Sequence, residues 1–239
     1  MSNEKSTSEF DAYAENYADI LRQGISVSGE NRDFFAYGRI ECLASSLKSL
    51  DASGTSVFDF GCGEGSSTPF FFEILGARSV LGVDVSSKSI DVACRNHKSE
   101  VDSARADFKT LGEYNPVARF TFAYCNGVFH HIPLDGRLAS AGIVFNSLCD
   151  GGYFGFCENN PFNPATRFVM SRCPFDKDAI MLTPKEARRL LKEAGFEIVR
   201  TRFLFIFPRV LRFLRWLEPL LSGLPFGAQY VILCRKPID

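Results

Sequence analysis

A glycine-rich turn at the end of an apolar strand is the sequence feature that most restricts the fold. Residues 57–65 read Val-Phe-Asp-Phe-Gly-Cys-Gly-Glu-Gly, and Asp59 lies two residues before the first glycine. Glycine allows backbone conformations that a Cβ excludes, and it lets a ligand approach the main chain closely. A helix beginning near Ser66 would add free amide donors at its N-terminus. The segment therefore predicts a turn that binds a nucleotide-like cofactor.

The spacing of these glycines decides between two kinds of cofactor. A dinucleotide fingerprint has the pattern Gly-x-Gly-x-x-Gly, and Ser66 occupies the place of its third glycine. The carboxylate of Asp59 would repel a pyrophosphate, whereas it would attract a ligand that carries an ammonium group. The pattern therefore favours S-adenosylmethionine over NAD.

Two acidic positions farther along the chain agree with an adenosine ligand. The apolar run at 79–83 ends in Asp84, whose carboxylate could accept hydrogen bonds from both hydroxyls of a ribose. A strand predicted at 101–105 leads to Asp107 and Phe108. These side chains would place a carboxylate near the exocyclic amine of an adenine and an aromatic ring near its face.

Residues 120–133 complete a family pattern. They read Phe-Thr-Phe-Ala-Tyr-Cys-Asn-Gly-Val-Phe-His-His-Ile-Pro, and with the glycine turn and the two acids they resemble the class I S-adenosylmethionine-dependent methyltransferases that act on small molecules. In that family the signature of strand four ends in Val-Leu-His-His-Ile/Val, and Asp usually stands where this chain has Thr121. The resemblance covers roughly residues 10–235 and implies an enzyme that transfers the methyl group of S-adenosylmethionine.

The resemblance also implies which side chains surround the cofactor. Cys125 and Asn126 would contact its methionine part, and an N-terminal helix would fold over it with a tyrosine near the carboxylate. Tyr13 and Tyr17, one helical turn apart, are the candidates for that tyrosine, or else they only pack the helix. The predicted cofactor site comprises Tyr13, Tyr17, Asp59, Gly61, Cys62, Gly63, Gly65, Asp84, Val85, Asp107, Phe108, Cys125 and Asn126.

The order of apolar segments predicts an α/β fold with a single Rossmann-like domain. Strands are expected at 57–60, 79–83, 101–105, 120–124, 152–158, 196–206 and 229–235, and helices at 66–75, 87–97 and 135–148. Such alternation predicts parallel strands with helices on both faces of the sheet. The resemblance implies seven strands, mostly parallel, with an antiparallel last strand. Thr183, Pro184 and Glu186 fit the start of a further helix with a capping box.

The N-terminal part is predicted to be separate from the sheet. Apolar spacing indicates helices at 10–22 and 30–50. Residues 1–50 are therefore expected to form lid helices, and residues 51–239 the methyltransferase domain. An apolar, arginine-containing insertion at about 207–227 is expected between strands six and seven.

Two histidines are the candidates for catalysis. Methyl transfer needs a base only when the nucleophile must lose a proton, and histidine titrates near neutral pH. His130 and His131 follow strand four, so either could act as the base, or His131 could only shape the pocket. His97 lies in a polar helical run and is predicted to be a solvated surface residue.

The segment after strand five is predicted to be a substrate loop. Residues 158–164 read Glu-Asn-Asn-Pro-Phe-Asn-Pro, which differs from the Asn-Pro-Pro-Tyr/Phe motif of nucleic-acid amino methyltransferases in its second proline and in the strand that it follows. Arg167, Arg172 and Asp176 are candidate polar contacts to the substrate, although an ordinary surface position is favoured for Arg172.

An apolar tract at 203–226 is the least ordinary part of the sequence. Arg209, Arg212 and Arg215 recur every three residues within it. With the one glutamate and two prolines of residues 203–221, they argue against a spanning helix. The tract could be a lid packed on its own domain, line an apolar pocket, form a dimer interface or contact a membrane peripherally.

Composition sets limits on partners and location. The net charge of −1 gives no sign of the concentrated basic face that nucleic-acid binding needs. The eight cysteines form no Cys-x-x-Cys pair and no zinc-like cluster, so we predict reduced cysteines and no metal. Met1–Glu9 has no apolar signal core, which predicts a cytoplasmic protein.

These features lead to one principal hypothesis and two alternatives. The principal hypothesis is methyl transfer from S-adenosylmethionine to an oxygen, rather than a nitrogen or carbon, of a small hydrophobic or lipid-linked acceptor. The alternatives are an NAD-type oxidoreductase and a non-catalytic module that binds the cofactor. Because related folds vary the substrate half while keeping the cofactor half, the sequence does not specify the acceptor.

Overall fold

A twisted sheet forms the centre of the protein. The computed structural model describes residues 26–48 and 56–238. The helix predicted at 10–22, with Tyr13 and Tyr17, lies outside these residues. The strands are β1 Ser56–Phe60, β2 Ser79–Asp84, β3 Ala106–Thr110, β4 Phe120–Asn126, β5 Leu148–Asn159, β6 Glu197–Leu204 and β7 Gln229–Arg235.

The strand order confirms the predicted topology. The sheet runs β3-β2-β1-β4-β5-β7-β6. Neighbouring strands from β3 to β5 are parallel, and β7 is antiparallel to both β5 and β6. The chain therefore reverses its strand order between β1 and β4, where ligands bind in open α/β sheets.

Helices connect most of these strands. They are α1 Arg32–Lys48, α2 Thr68–Glu73, α3 Ser87–Asn96, α4 Lys98–Asp102, α5 Arg137–Ser147, α6 Pro164–Arg172, α7 Pro184–Glu193 and α8 Glu218–Leu221. Short 3-10 segments occur at Ser26–Ser28, Leu111–Glu113, Pro174–Asp176 and Arg209–Leu217. No helix of the described ranges is both long and apolar enough to cross a membrane.

Both faces of the sheet are buried at the central strands β1, β2, β4 and β7, which explains why these strands are apolar at most positions. In β1, Phe58 belongs to one buried cluster and Val57 to the other. In β4, Ala123 and Cys125 pack with the cluster of Phe58, whereas Tyr124 packs with that of Val57. The alternation places each strand between two layers of side chains.

The prediction for the third strand was wrong. Residues 98–102 form α4, and β3 begins only at Ala106. An ion pair from Lys98 Nζ to Asp102 Oδ2, 2.7 Å long, has the (i, i+4) spacing that supports a helix. As a consequence, Asp107 and Phe108 lie within β3 instead of after its end.

The tract between β6 and β7 is a compact turn structure. Its 3-10 segment bends at Leu211, where the backbone has φ −107° and ψ 21°. The segment is amphipathic: its outer side is exposed, and its inner side contacts α1 through the Arg215 guanidinium, 4.5 Å from the Phe34 ring centroid. It carries no strand and separates β6 from β7.

The start of α7 provides a test of the local sequence signals. Thr183 Oγ1 accepts the Glu186 amide at 3.2 Å, and Glu186 Oε2 accepts the Thr183 amide at 2.8 Å. The predicted capping box with Pro184 at the first turn is therefore confirmed.

We expect Thr183→Ala to lower the free energy of unfolding by about 1 kcal/mol, because the Glu186 amide loses its acceptor. Urea denaturation monitored by circular dichroism measures the change. Thr183→Ser keeps the hydroxyl and is the matched control, expected to unfold at nearly the wild-type midpoint. Equal losses in both variants would contradict the cap as the cause.

Candidate active site

A cavity of about 400 Å³ lies at the carboxyl ends of the central strands. Its walls come from the glycine turn after β1, the ends of β4 and β5, α1, α6 and the connection between β6 and β7. Segments distant in sequence therefore meet around one space. This is the position at which a parallel sheet of this order accommodates a ligand.

The glycine turn adopts the geometry that its sequence predicts. Gly61, Gly63 and Gly65 have φ of 74°, 53° and 75°, in the left-handed region. A Cβ on Gly61 would lie 2.4 Å from Val128 Cγ2, so this position excludes a side chain on steric grounds also. The amides of Gly61 and Cys62 both donate to the Val83 carbonyl, which ties the turn to β2.

Asp84 supports this turn from the end of β2. Its Oδ2 accepts the Gly63 amide and its Oδ1 accepts the Ser86 amide, both at 2.9 Å. These bonds fix the orientation of the carboxylate, and each oxygen keeps acceptor capacity for a ribose hydroxyl. Asp84 and the adjacent Val85 are half-buried and lie outside the cavity lining.

Asp59 is an ionisable group buried in the cavity wall. Its side chain is 2% exposed. Burial, together with the nearby Asp84 carboxylate, raises its pKa to about 8, although the Arg39 guanidinium acts in the opposite direction. A cationic ligand would shift this equilibrium toward the carboxylate, because an opposite charge favours the charged form.

The end of β4 contributes an orphaned acceptor. Asn126 lines the cavity, and its Oδ1 is buried without a hydrogen-bond partner among the described residues. Asp59 lines the same cavity, and acceptors of these two kinds suit an ammonium group, the charge that S-adenosylmethionine carries on its methionine part. Cys62 also lines the cavity, whereas the Cys125 side chain is fully buried in the core.

Asp107 and Phe108, the two residues predicted to lie near the adenine, do not line the cavity. Asp107 is exposed on β3, pairs with Lys109 at 3.0 Å and does not line the cavity. Phe108 is buried beneath the glycine turn, and its ring stacks on His97 with centroids 5.7 Å apart. His97 Nε2 donates to the Gly65 carbonyl at 2.8 Å. The prediction of His97 as a solvated surface residue was therefore wrong, because its imidazole fastens α3 to the turn.

A buried ion pair organises the two strand ends that carry the catalytic candidates. Glu158, at the end of β5, lies 2.6 Å from His130 Nδ1 through its Oε2 and accepts the Phe129 amide through its Oε1. Burial disfavours the charged form of each side chain, but the attraction between the two charges is stronger. The pKa of Glu158 is therefore lowered, and that of His130 is raised. The second carboxylate that raises the His130 pKa belongs to Asp176.

His131 lies beside this pair and differs from it in charge. Its ring centroid is 4.1 Å from that of His130. Burial and the positive charge of His130 lower its pKa to about 4, against the opposing effect of Asp176. Asp176 Oδ1 is 3.4 Å from Nε2 of each histidine, and all three side chains line the cavity.

Helix α1 covers the cavity and is anchored by two arginines. Buried Arg39 donates from Nε to the Tyr124 hydroxyl at 2.9 Å and from a terminal nitrogen to Gln229 Oε1 at 3.0 Å. Arg32 pairs with Glu64 of the glycine turn at 3.2 Å. These bonds connect α1 with β4, β7 and the turn, so the helix is fixed over the carboxyl edge of the sheet.

The connection after β6 closes the remaining side. Phe205 has φ of 62°, unusual for a residue with a side chain, and its ring packs against Phe34 and Phe35 of α1. A Cβ on Gly38 would lie 2.7 Å from this ring, so the absence of a side chain there makes room for it. Arg215 pairs with Glu30 at 2.9 Å, which joins the connection to the start of α1.

Among the predicted substrate contacts, Asp176 alone reaches the cavity. Arg167 and Arg172 are exposed, and the Arg172 guanidinium lies 4.6 Å from the Phe168 ring centroid. Sequence reasoning did not assign roles to Glu158 and Arg39, which are both buried. A charged residue within an otherwise apolar strand end was the available signal for Glu158.

Comparisons with known proteins agree with this geometry. Residues 57–152 match the family model of a methyltransferase domain. Magnesium protoporphyrin IX methyltransferase from Synechocystis PCC 6803, solved with S-adenosylhomocysteine, is 16% identical, with a TM-score of 0.62 over 97% of this chain and 99% of that chain. A putative sarcosine dimethylglycine methyltransferase from Galdieria sulphuraria is 16% identical, with a TM-score of 0.60 over 83% and 85%.

A protein with different chemistry shares the fold. The [4+2]-cyclase SpnF is 17% identical, with a TM-score of 0.57 over 83% of this chain and 81% of that chain. At these identities the structural likeness shows the fold alone. No curated protein sequence matches the chain.

The fold, the glycine turn and the family match together define the class of protein. Residues 57–152 are a methyltransferase domain, and the fold is that of the class I S-adenosylmethionine-dependent methyltransferases. The protein is an enzyme, and its cofactor is S-adenosylmethionine. This cofactor excludes the alternative of an NAD-type oxidoreductase.

We expect the contribution of Asp59 to the free energy of unfolding to fall as the pH rises from about 4 to about 8. The pKa of its carboxyl is about 8 in the fold against an ordinary value of 3.8, so in this range the unfolded chain has lost a proton that the folded chain keeps. Asp59→Asn removes this effect and should be more stable than the wild type at pH 8, by on the order of a few kcal/mol.

Urea unfolding at several pH values measures the difference, which should shrink toward pH 4. Asp107→Asn, at an exposed aspartate outside the cavity, is the control and should show no comparable pH-dependent gain. A gap between Asp59→Asn and the wild type that stays constant with pH would refute the assignment.

Proposed function

We propose that the enzyme transfers the methyl group to an oxygen atom, in preference to nitrogen or carbon, of a small hydrophobic or lipid-linked acceptor. The observation that carries this proposal is the composition of one cavity. It combines buried acceptors beside the glycine turn, an extended apolar wall and a pair of histidines with an aspartate. The first set suits the cofactor, the second an apolar acceptor, and the third a hydroxyl that loses its proton.

The cofactor end is formed by residues of β1, β2 and β4. Asp59 and Asn126 Oδ1 are positioned to accept hydrogen bonds from the ammonium group, and Gly61, Cys62 and Gly63 line the space beside them. Asp84 holds the turn and keeps acceptor capacity for the ribose. When bound, S-adenosylmethionine supplies an electrophilic methyl group on a sulfonium, so the protein's task is mainly to align the two reactants.

The apolar wall of the cavity favours the proposal that the acceptor is hydrophobic. It consists of Phe35, Val169, Met170, Phe205, Ile206, Phe207 and Pro208. Burying an acceptor against such side chains contributes about 25 cal/mol for each Å² of apolar surface removed from water. The same residues exclude water from the site, which favours methyl transfer to the acceptor over side reactions.

The histidine pair supports transfer to oxygen. An alcohol or phenol must lose its proton as the new bond forms, whereas a neutral tertiary amine has none to lose. His130 and His131 both line the cavity beside Asp176, and this cluster can stabilise the acceptor oxygen as its proton leaves. We therefore place the activation of the acceptor at these two histidines.

An exposed apolar surface favours the proposal that the acceptor resides in a membrane. Val210, Phe213, Trp216 and Leu220, here called the apolar ridge, are 81%, 68%, 71% and 77% exposed. Arg209 and Arg212 are exposed beside them. Aromatic and aliphatic side chains next to arginines suit the interface of an anionic bilayer, and the ridge belongs to the connection that closes the cavity. A second copy of the chain is the alternative occupant of this surface.

The cysteines agree with a cytoplasmic enzyme. All eight are free, and five of them are buried. Reduced cysteines are typical of proteins in a reducing compartment. We therefore propose the cytoplasm, with peripheral contact to a membrane, as the place where the enzyme works.

We expect Asp84→Ala to weaken the binding of S-adenosylhomocysteine more than tenfold, because the Gly63 amide and the ribose both lose their acceptor. Isothermal titration calorimetry measures the affinity. Asp107→Ala changes an acid that lies outside the cavity and should bind like the wild type. Wild-type affinity in Asp84→Ala would remove Asp84 from the cofactor site.

We expect methyl transfer to a hydrophobic phenol, measured with S-adenosylmethionine labelled in its methyl group. The double variant Phe213→Ser/Trp216→Ser should lose at least tenfold in turnover of a phenol anchored in phosphatidylglycerol vesicles, yet retain turnover of a water-soluble phenol. Leu134→Ser, at a similarly exposed leucine outside the apolar ridge, is the matched control.

The outcomes separate the parts of this proposal. Equal turnover of the vesicle-bound phenol by the double variant and the wild type would contradict membrane contact through the ridge. Transfer confined to amines or carbon acceptors across a panel of apolar compounds would contradict oxygen as the methylated atom. Gel filtration of the wild type and the double variant tests whether the ridge joins two copies instead.

A further inference from the structure

We propose that His130, His131 and Asp176 bind a divalent transition-metal ion, such as Zn²⁺, in the wall of the cavity. One ligand atom from each of the three residues lies within 4.8 Å of the other two. Two imidazole nitrogens and one carboxylate oxygen suit zinc and other first-row transition metals better than Mg²⁺ or Ca²⁺, which prefer oxygen ligands. No metal was expected from the sequence because it has no Cys/His cluster at zinc spacing, and Asp176 lies far from the histidines along the chain.

The distances between the donor atoms fit one shared ion. Asp176 Oδ1 is 3.4 Å from His130 Nε2 and 3.4 Å from His131 Nε2. Charge-assisted hydrogen bonds are about 2.7–2.9 Å long, so both contacts are too long to be strong direct bonds. Zinc holds nitrogen and oxygen ligands at about 2.0–2.1 Å in a tetrahedron, whose corners are then about 3.4 Å apart.

A buried carboxylate orients one of the proposed ligands. Glu158 Oε2 is 2.6 Å from His130 Nδ1, which donates to it, so that Nε2 faces Asp176. The other oxygen of Glu158 accepts the Phe129 amide, and this bond holds the carboxylate itself in place. A carboxylate that fixes the ring and raises the basicity of a ligating histidine is a regular part of protein metal sites.

The site has room for a further ligand. The histidines belong to the turn after β4 and Asp176 to the 3-10 segment Pro174–Asp176, and all three side chains line the cavity. Three protein ligands leave the fourth position of a tetrahedral ion open toward this space. Water or the acceptor could occupy that position.

The chemical consequence of the ion rests on the proposed function. An acceptor hydroxyl in the fourth position would have a lowered pKa, as metal-bound water does, so its proton would pass to solvent and the electron pair would stay on oxygen. The oxygen would use its electron pair to form the bond to the methyl carbon while the carbon–sulfur bond breaks. The electron pair of the broken bond would remain on the sulfur of S-adenosylhomocysteine. The metal is neither oxidised nor reduced.

Metal binding can be measured on the full chain without an acceptor. Chelator-treated protein is titrated with Zn²⁺ by calorimetry at neutral pH, for the wild type, Asp176→Asn and His131→Gln. We expect one equivalent to bind to the wild type and at least tenfold weaker binding by each variant. His97→Gln, which removes the histidine outside the cluster, should keep the wild-type affinity, and Glu158→Gln should lose 10–100-fold if it folds.

The Co²⁺ complex and the metal-free enzyme provide two independent tests. The visible spectrum of the complex should lack thiolate charge-transfer bands, because cysteines are not among the proposed ligands. Failure of the wild type to bind Zn²⁺ and Co²⁺, or equal binding by the wild type and Asp176→Asn, would overturn the proposal. Methyl transfer that persists in a metal-free enzyme would overturn the role of the ion in activating the acceptor while leaving the methyltransferase intact. S-adenosylhomocysteine binding should be unchanged in all cluster variants.

Discussion

The buried carboxylate of Glu158 is the interaction on which the candidate site depends. It is 1% exposed, and it joins the end of β5 to the turn after β4 through the Phe129 amide and the His130 imidazole. Removing one partner of a buried pair leaves an uncompensated charge, at a cost of about 3–5 kcal/mol. A single side chain therefore sets both the spacing of two strand ends and the direction of the imidazole. The relation between His130, His131 and Asp176 follows from it.

The direction of the last strands determines what lies over these ends. Because β6 is antiparallel to β7 and β7 to β5, β6 ends at the edge of the sheet where β4 and β5 end. The connection from β6 to β7 must therefore cross the site. Arg39 fixes α1 over the same edge through Tyr124 of β4 and Gln229 of β7. Topology brings the apolar wall to the cavity, and buried hydrogen bonds keep it there.

Local signals in the sequence predicted much of this arrangement. The geometry of the glycine turn and the capping box of α7 depend on neighbouring residues, and both predictions are confirmed. The family resemblance implied the mostly parallel sheet with its antiparallel last strand, and this prediction is confirmed as well. The start of β3 was misplaced because residues 101–105 were assigned to a strand although they include Asp102 and Arg105. The charges of Lys98 and Asp102 instead stabilise a helical turn. Contacts such as Arg39 with Tyr124, 85 residues apart, leave no local pattern. The contact of Asp176 with the two histidines leaves no local pattern either. These parts of the site could therefore be recognised only in the structure.

The cavity is divided between segments that differ in how tightly the fold restrains them. The end that we propose for the cofactor is made of strand termini and a turn whose glycines, amides and carboxylates are held by the sheet. The apolar wall comes largely from α6 and the connection after β6, which lie outside the sheet and contribute side chains more than backbone bonds. Substitutions in the second group can alter the shape of the acceptor space while the first stays unchanged. Such a protein can diversify over evolution by changing its substrates while its cofactor chemistry is inherited intact.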